Sequence, residues 1–179
     1  MPTKKTSPNR RSRTVTWEDP AINARAAATM NGLDFLRAMK DGQIPPPPIL
    51  PLVDFRLAEA DTGRVVFEFN PAEWQYNPAA TVHGGIACTV LDSAATFAVH
   101  STLPARVGLT TLEVKVNYLR PITSETGLMR CEDTLIHKGS RIAVAEAKML
   151  DGKGRLYAYA VSTCMIFEQA RKEGRRGRR

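Results

Sequence analysis

The chain has no run of 18 consecutive apolar residues, so no membrane-spanning helix is expected. Its opening segment, MPTKKTSPNRRSRT, lacks the apolar core of a secretory signal, and a cytoplasmic protein is expected. That segment is also free of acids up to Glu18, as a mitochondrial transit peptide would be, but it has too few apolar residues for an amphipathic helix. Cysteine is scarce: Cys88, Cys131 and Cys164 are widely spaced and form no CxxC, which excludes a disulfide framework or zinc knuckle and fits a reducing compartment. His83, His100 and His137 show no metal-ligand spacing, so no metal is expected. No internal repeat is present.

The 179 residues suggest one domain, with 43% hydrophobic and 24% charged residues, enough to build one core. The net charge of +7 is concentrated at the ends. Residues 1–13 contribute +5 and residues 171–179 another +5, so residues 14–170 carry 7 − 10 = −3. The basic ends, punctuated by Gly, Ser and Pro, read as disordered, solvated tails. Loose contact with nucleic acid is the alternative use of such tails, but no base-stacking or groove-reading motif accompanies them.

Residues 21–41 read as helical, with Asn31 as N-cap of GLDFLRAMKD. Pro45 to Pro48 stop the helix and favour an extended segment, the joint between an N-terminal appendage (1–47) and a main domain (48–168), with 169–179 as a basic tail. ILPLVDFRLAEA and RVVFEFNP, flanking the turn Asp61-Thr62-Gly63, read as two strands. Residues 84–100 are apolar and small without alternation and read as one buried helix. Four more strands follow: TTLEVKVNYLRP, GLMRCEDTLIHKG, RIAVAEAKMLDGKG and RLYAYAVSTCMIFEQ. An antiparallel six-strand sheet wrapped around one central helix accounts for this order, an α+β fold. A helix apolar on most sides needs more cover than one sheet provides, so a partner subunit is expected.

Asp92 is the only charged residue between Ile86 and Val99. Burying a lone carboxylate is costly unless it is paired, hydrogen-bonded or held for a function. Eight residues earlier, His83-Gly84-Gly85 opens the helix, where free backbone N–H groups at the positive dipole end can hold an oxyanion. Gly84 and Asp92 are about 12 Å apart along a straight helix, too far to act on one carbonyl. Two antiparallel helices meeting at a two-fold axis would bring Gly84 of one chain to Asp92 of the other. A homodimer with two shared sites is expected.

Asn77-Pro78-x-x-Thr81-Val82-His83-Gly84-Gly85 followed by Leu91-Asp92 resembles the hotdog-fold thioesterases of the phenylacetate-pathway (PaaI-like) type. Thr110-Thr111-Leu112-Glu113, Asn117-Tyr118-Leu119-Arg120-Pro121 and Gly154-Arg155-Leu156-Tyr157-Ala158 extend the resemblance over roughly 48–168. It implies an acyl-CoA thioesterase acting on a small or medium acyl or aryl group, with no cofactor beyond the coenzyme A of the substrate. It implies Asp92 as nucleophile or general base, the Gly84 amide, with Gly85, as the carbonyl-polarising group, and Asn77 as a polar residue positioning substrate or water. Thr111 would orient the water or carboxylate, with Thr110 a one-residue alternative, and His83 would hold the loop. The homodimer could pair further into a homotetramer.

Arg120, Lys138 and Arg141 are candidates for the anionic coenzyme A, and Trp74 and Tyr76 for lining the acyl or adenine site. A non-catalytic acyl-CoA-binding dimer is the alternative from another class, since fold does not fix function. A dehydratase would want an Asp/His pair, and His100 is again about 12 Å beyond Asp92.

Overall fold

The computed structural model describes residues 10–168. The appendage holds α1 (Ala21–Ala27) and α2 (Gly32–Lys40), and α3 (Ile49–Val53) follows the proline run. Then come β1 (Phe55–Asp61), β2 (Arg64–Phe69), α4 (Gly84–His100), β3 (Val107–Tyr118), β4 (Met129–Lys138), β5 (Ile142–Asp151) and β6 (Leu156–Glu168). All strand pairs are antiparallel in the order β1-β2-β4-β5-β6-β3. The six-strand sheet around one helix is the expected architecture, and α4 has the expected bounds. Among the described residues no helix is long and apolar enough to cross a membrane.

The sheet's concave face buries α4. Val90, Leu91, Ala94 and Ala98 sit fully buried in the core with Phe67, Met129, Ala147 and Met149. Three alanines on β5, Ala143, Ala145 and Ala147, keep that strand thin where the helix crosses it. Asn31 caps α2 by accepting from the Asp34 N–H at 2.9 Å. The α2 start docks on the end of α4 through Gly32 N–H donating to the Leu103 carbonyl at 2.9 Å. A Cβ on Gly32 would lie 1.7 Å from the His100 carbonyl oxygen, so only glycine permits this approach.

Two local expectations are corrected. The segment Ile49–Val53 is a short helix rather than the start of a strand. Pro51 sits in its first turns, where a missing N–H is tolerated, and Asp54 ends it in the left-handed region at φ 70°. Of residues 10–13, read as part of a disordered tail, Arg11 and Arg13 engage the domain. Arg13 donates to the carbonyls of Pro51 (2.7 Å) and Leu52 (2.8 Å) and stacks 4.0 Å over Trp74, while Arg11 pairs with Glu73 at 2.7 Å. A guanidinium that caps carbonyls and covers an indole gains more than a charge in water. Arg10 is exposed, and Lys4, Lys5 and the basic residues of the C-terminal tail lie outside the described residues.

β3 ends the sheet. It pairs with β6 alone, and Leu112 and Tyr118 on it are 55% and 54% exposed. A bulge between Thr111 and Glu113 breaks its alternation.

Candidate active site

The helix α4 turns one stripe away from its own sheet. Gly84, Cys88, Asp92, Thr96 and His100 recur at intervals of four residues, and all keep partial exposure. The hydroxyls beside the stripe are satisfied within the helix: Thr89 donates to the Gly85 carbonyl (2.9 Å), Ser93 to Thr89 (2.8 Å) and Thr96 to Asp92 (2.9 Å). These three hydroxyls therefore keep their partners if the face meets a second surface.

At the helix start, His83 is the N-cap, and its Nδ1 accepts the Gly85 N–H at 2.9 Å. That bond removes Gly85 as a donor to substrate, correcting its pairing with Gly84 as carbonyl-polarising groups. His83 N–H in turn donates to the Gln75 carbonyl at 2.8 Å, tying the entry loop down. The Gly84 N–H has no acceptor among the described residues. Above it lies the Tyr118 ring, whose hydroxyl donates to the Gly84 carbonyl at 2.9 Å. Together with Asn77, Ala87, Arg120 and Tyr157, Gly84 and Tyr118 line a cavity of about 420 Å3. The Asn77 side chain donates from Nδ2 to Thr81 Oγ1 (3.0 Å) and accepts the Ala79 N–H (2.8 Å), so its amide shapes the turn beside the cavity. The Arg120 guanidinium is exposed at this end and donates to the Leu156 carbonyl.

Two turns further along, the Thr111 hydroxyl donates to Asp92 Oδ1 at 2.9 Å. Oδ2 has no hydrogen-bond partner among the described residues and is not sealed from solvent. One hydroxyl thus fixes the carboxylate while leaving an oxygen for chemistry. Thr110 is exposed and makes no hydrogen bond to the carboxylate. Thr110 and Thr111 line a second, largely apolar cavity of about 470 Å3 between α4, β3 and the appendage.

Trp74 and Tyr76 are not in either cavity, correcting the expectation that they line the acyl or adenine site. Trp74 carries Arg13, and Tyr76 bonds Ser124 at 2.9 Å. Lys138 and Arg141 stand at the other end of the domain from Arg120. Lys138 donates to the Thr102 carbonyl just past the α4 C-terminus at 2.7 Å, a favourable place for a cation.

Burial pushes the Cys88 thiol up, with Asp92 adding to the effect, and burial pushes the His100 imidazole down, keeping it neutral near pH 7. One buried group escaped the sequence reading. Asp133 on β4 is fully buried, neither oxygen has a partner among the described residues, and burial, with Glu146 second, pushes it up to about 8. The alternation Met129, Cys131, Asp133 was the available signal, since it puts the carboxyl on the core face. Among the described residues no cluster of His, Cys, Asp and Glu could hold a metal ion.

Residues 79–158 match the thioesterase superfamily. An esterase candidate from Saccharolobus solfataricus is 28% identical over 121 residues, covering 68% of this chain and 77% of that protein. A Ralstonia eutropha thioesterase candidate, related to phenylacetic acid degradation, superposes with TM-score 0.66 at 25% identity, covering 73% of this chain and 98% of that one. A Streptococcus mutans protein solved with acetyl-CoA superposes with TM-score 0.59 at 20% identity, covering 64% and 90% of the two chains.

Proposed function

We propose that the chain is a hotdog-fold thioester hydrolase that cleaves acyl-coenzyme A at sites shared between two protomers, a reading supported by the thioesterase-superfamily match and the esterase and thioesterase relatives. The observation that carries this reading is the separation of two unfinished half-sites on one helix. Asp92, fixed by Thr111, has a free oxygen, and eight residues away the Gly84 amide has no acceptor. The two are about 12 Å apart along the axis, and neither half acts alone.

An antiparallel pair of α4 helices joins the halves. The exposed stripe of small residues suits close helix approach, and the unpaired edge of β3 beside it is free to pair with its copy. The thioester carbonyl then accepts from the Gly84 N–H of the partner subunit, at the positive end of that helix. Asp92 Oδ2 either takes a proton from water as the water oxygen bonds to the carbonyl carbon, or attacks that carbon itself and is released by water later. In both routes the carbon–sulfur bond breaks and coenzyme A leaves as a thiol after taking up a proton.

Tyr118 and Asn77 shape the space around the donor amide. In an antiparallel pair, Lys138 and Arg141 of one chain come to the same end as Arg120 of the partner subunit, which gathers cations where the coenzyme A phosphates would enter. The acetyl-CoA bound by the Streptococcus mutans relative is consistent with that ligand class. We take the protein to be cytoplasmic, to need no metal or prosthetic group, and to form a homodimer that could pair further into a tetramer.

Free-thiol release over an acyl-CoA panel tests this reading. Asp92→Asn is expected to lower kcat by roughly three orders of magnitude with the fold kept. Turnover unchanged in that variant contradicts the assignment, and binding without thiol release in the native protein favours a non-catalytic acyl-CoA binder.

A further inference from the structure

A carbonyl oxygen offers two lone pairs, so the oxyanion that grows from it can accept from two donors aimed at it. The start of α4 supplies one. The Gly85 N–H is taken by His83 Nδ1 at 2.9 Å, and the Ile86 and Ala87 N–H groups both turn to the His83 carbonyl, at 2.9 Å and 3.4 Å. The Gly84 N–H is the amide of this turn left without an acceptor among the described residues. A second donor has to come from a side chain of the same cavity.

The polar side chains lining that cavity differ in how firmly they are held. Asn77 and Thr81 bond each other, at 3.0 Å and 3.3 Å. Tyr157 is buried, and its hydroxyl reaches Asp151 Oδ2 at 3.4 Å. Tyr118, the last residue of β3, is held differently. Its ring stands against Gly84, with Cζ, Oη and Cε1 at 3.2, 3.4 and 3.5 Å from where a Cβ would sit, an approach that the missing side chain leaves open. Its hydroxyl donates to the Gly84 carbonyl at 2.9 Å. That carbonyl is also the helical acceptor of the Cys88 N–H, so withdrawing the phenol strands no buried acceptor. The side chain is exposed at the end of an edge strand, which leaves the ring room to shift. Desolvation, with the Cys88 thiol second, pushes the phenol up, so it keeps its proton at neutral pH.

We propose that Tyr118 is a catalytic residue, its phenol O–H serving as the second donor to the thioester carbonyl held at the Gly84 amide. The assignment rests on the hydrolase reading above and deepens it. As water, or Asp92 of the partner subunit, bonds to the carbonyl carbon, the π electron pair moves onto the oxygen, and the phenol turns from the Gly84 carbonyl to that oxyanion. When the carbon–sulfur bond breaks, the carbonyl re-forms and the hydroxyl returns to its peptide acceptor. Tyr118 keeps its proton throughout.

Tyr118→Phe keeps the ring beside Gly84 and removes the O–H. On the full-length protein it is expected to lower kcat for octanoyl-coenzyme A by about a hundredfold. Inhibition by free coenzyme A, which has no thioester to polarise, should stay unchanged. A loss in kcat under about threefold, or one matched by an equal loss in coenzyme A inhibition, overturns the proposal. A second measurement does not depend on turnover. Octanoyl-coenzyme A isotope-labelled at the thioester carbonyl is bound to Asp92→Asn and followed by infrared difference spectroscopy. The carbonyl band should move to lower wavenumber on binding, and Tyr118→Phe in the same background should give back part of that shift. Identical bands in the two proteins overturn the proposal. Thiol release that Tyr118→Phe leaves unchanged sinks the donor and spares the hydrolase. A band that Tyr118→Phe moves back, with no thiol release by the native protein, supports the donor and sinks the hydrolase.

Discussion

Asp92 is tethered at one oxygen and open at the other, so the tether sets where the open oxygen points. Thr111→Val is therefore expected to lower kcat by roughly tenfold with KM little changed, a smaller loss than removing the carboxylate. An unchanged kcat in that variant would remove Thr111 from this role. Asp133 supplies a prediction about stability. Unfolded, it ionises near 3.8; folded, it keeps its proton up to about 8. Between those values the folded state holds the extra proton. The contribution is thus complete below pH 4 and lost as pH rises toward 8, a change on the order of a few kcal/mol. Urea denaturation at pH 5 and pH 8 should show the native protein losing stability over this interval and Asp133→Asn losing markedly less; equal losses would contradict it. Asp92 was legible in the sequence because a lone charge breaks an apolar run. The choice between Thr110 and Thr111 was not, because a bulge at that point resets which side chains face inward. Asp133 was hidden by its exposed-looking neighbours Glu132 and Thr134, although the strand period put it inside.

At the scale of elements, α4 was readable to its ends because no charge but Asp92 interrupts it and glycine and proline bracket it. The short α3 was not, since ILPLV offers five apolar residues with no period long enough to distinguish helix from strand. The docking of α2 on α4 was equally invisible, because it depends on the missing Cβ of Gly32 meeting a carbonyl 68 residues later. The proposed pairing of two α4 helices has a consequence in register. If residue 84 opposes residue 92 across a two-fold axis, their mean position, 88, lies on the axis. Cys88 would then face Cys88 of the partner subunit. It is the one cysteine with solvent access, since Cys131 and Cys164 are buried. A short bismaleimide should link two chains at this position, and Cys88→Ser should abolish the product. Labelling of Cys88 without cross-linking would contradict the register.

For the whole molecule, charge proved a poor guide and half-burial a better one. The +7 net charge comes from the ends, yet Arg11 and Arg13 of the first basic segment are engaged with the domain through Glu73, Trp74 and two carbonyls. A sequence pattern cannot show that a charged run has found carbonyls far along the chain. What the sequence did show was a helix too apolar for one sheet to cover. The uncovered stripe on α4 and the unpaired edge of β3 now lie side by side.

Two shared sites per dimer can be tested by complementation. Gly84→Pro removes the donor amide at the first helical position, where proline is tolerated, and His83 already holds the extended conformation that proline requires of its predecessor. The partly exposed Tyr118 ring, 3.2 Å from the added Cβ, has room to yield. Each of Gly84→Pro and Asp92→Asn should be nearly inactive as a homodimer. In a purified heterodimer of the two, one site carries both defects and the other carries none, so about half the native kcat per dimer should return. A heterodimer as inactive as its parents would mean that each site draws Asp92 and Gly84 from one chain, and would contradict the account.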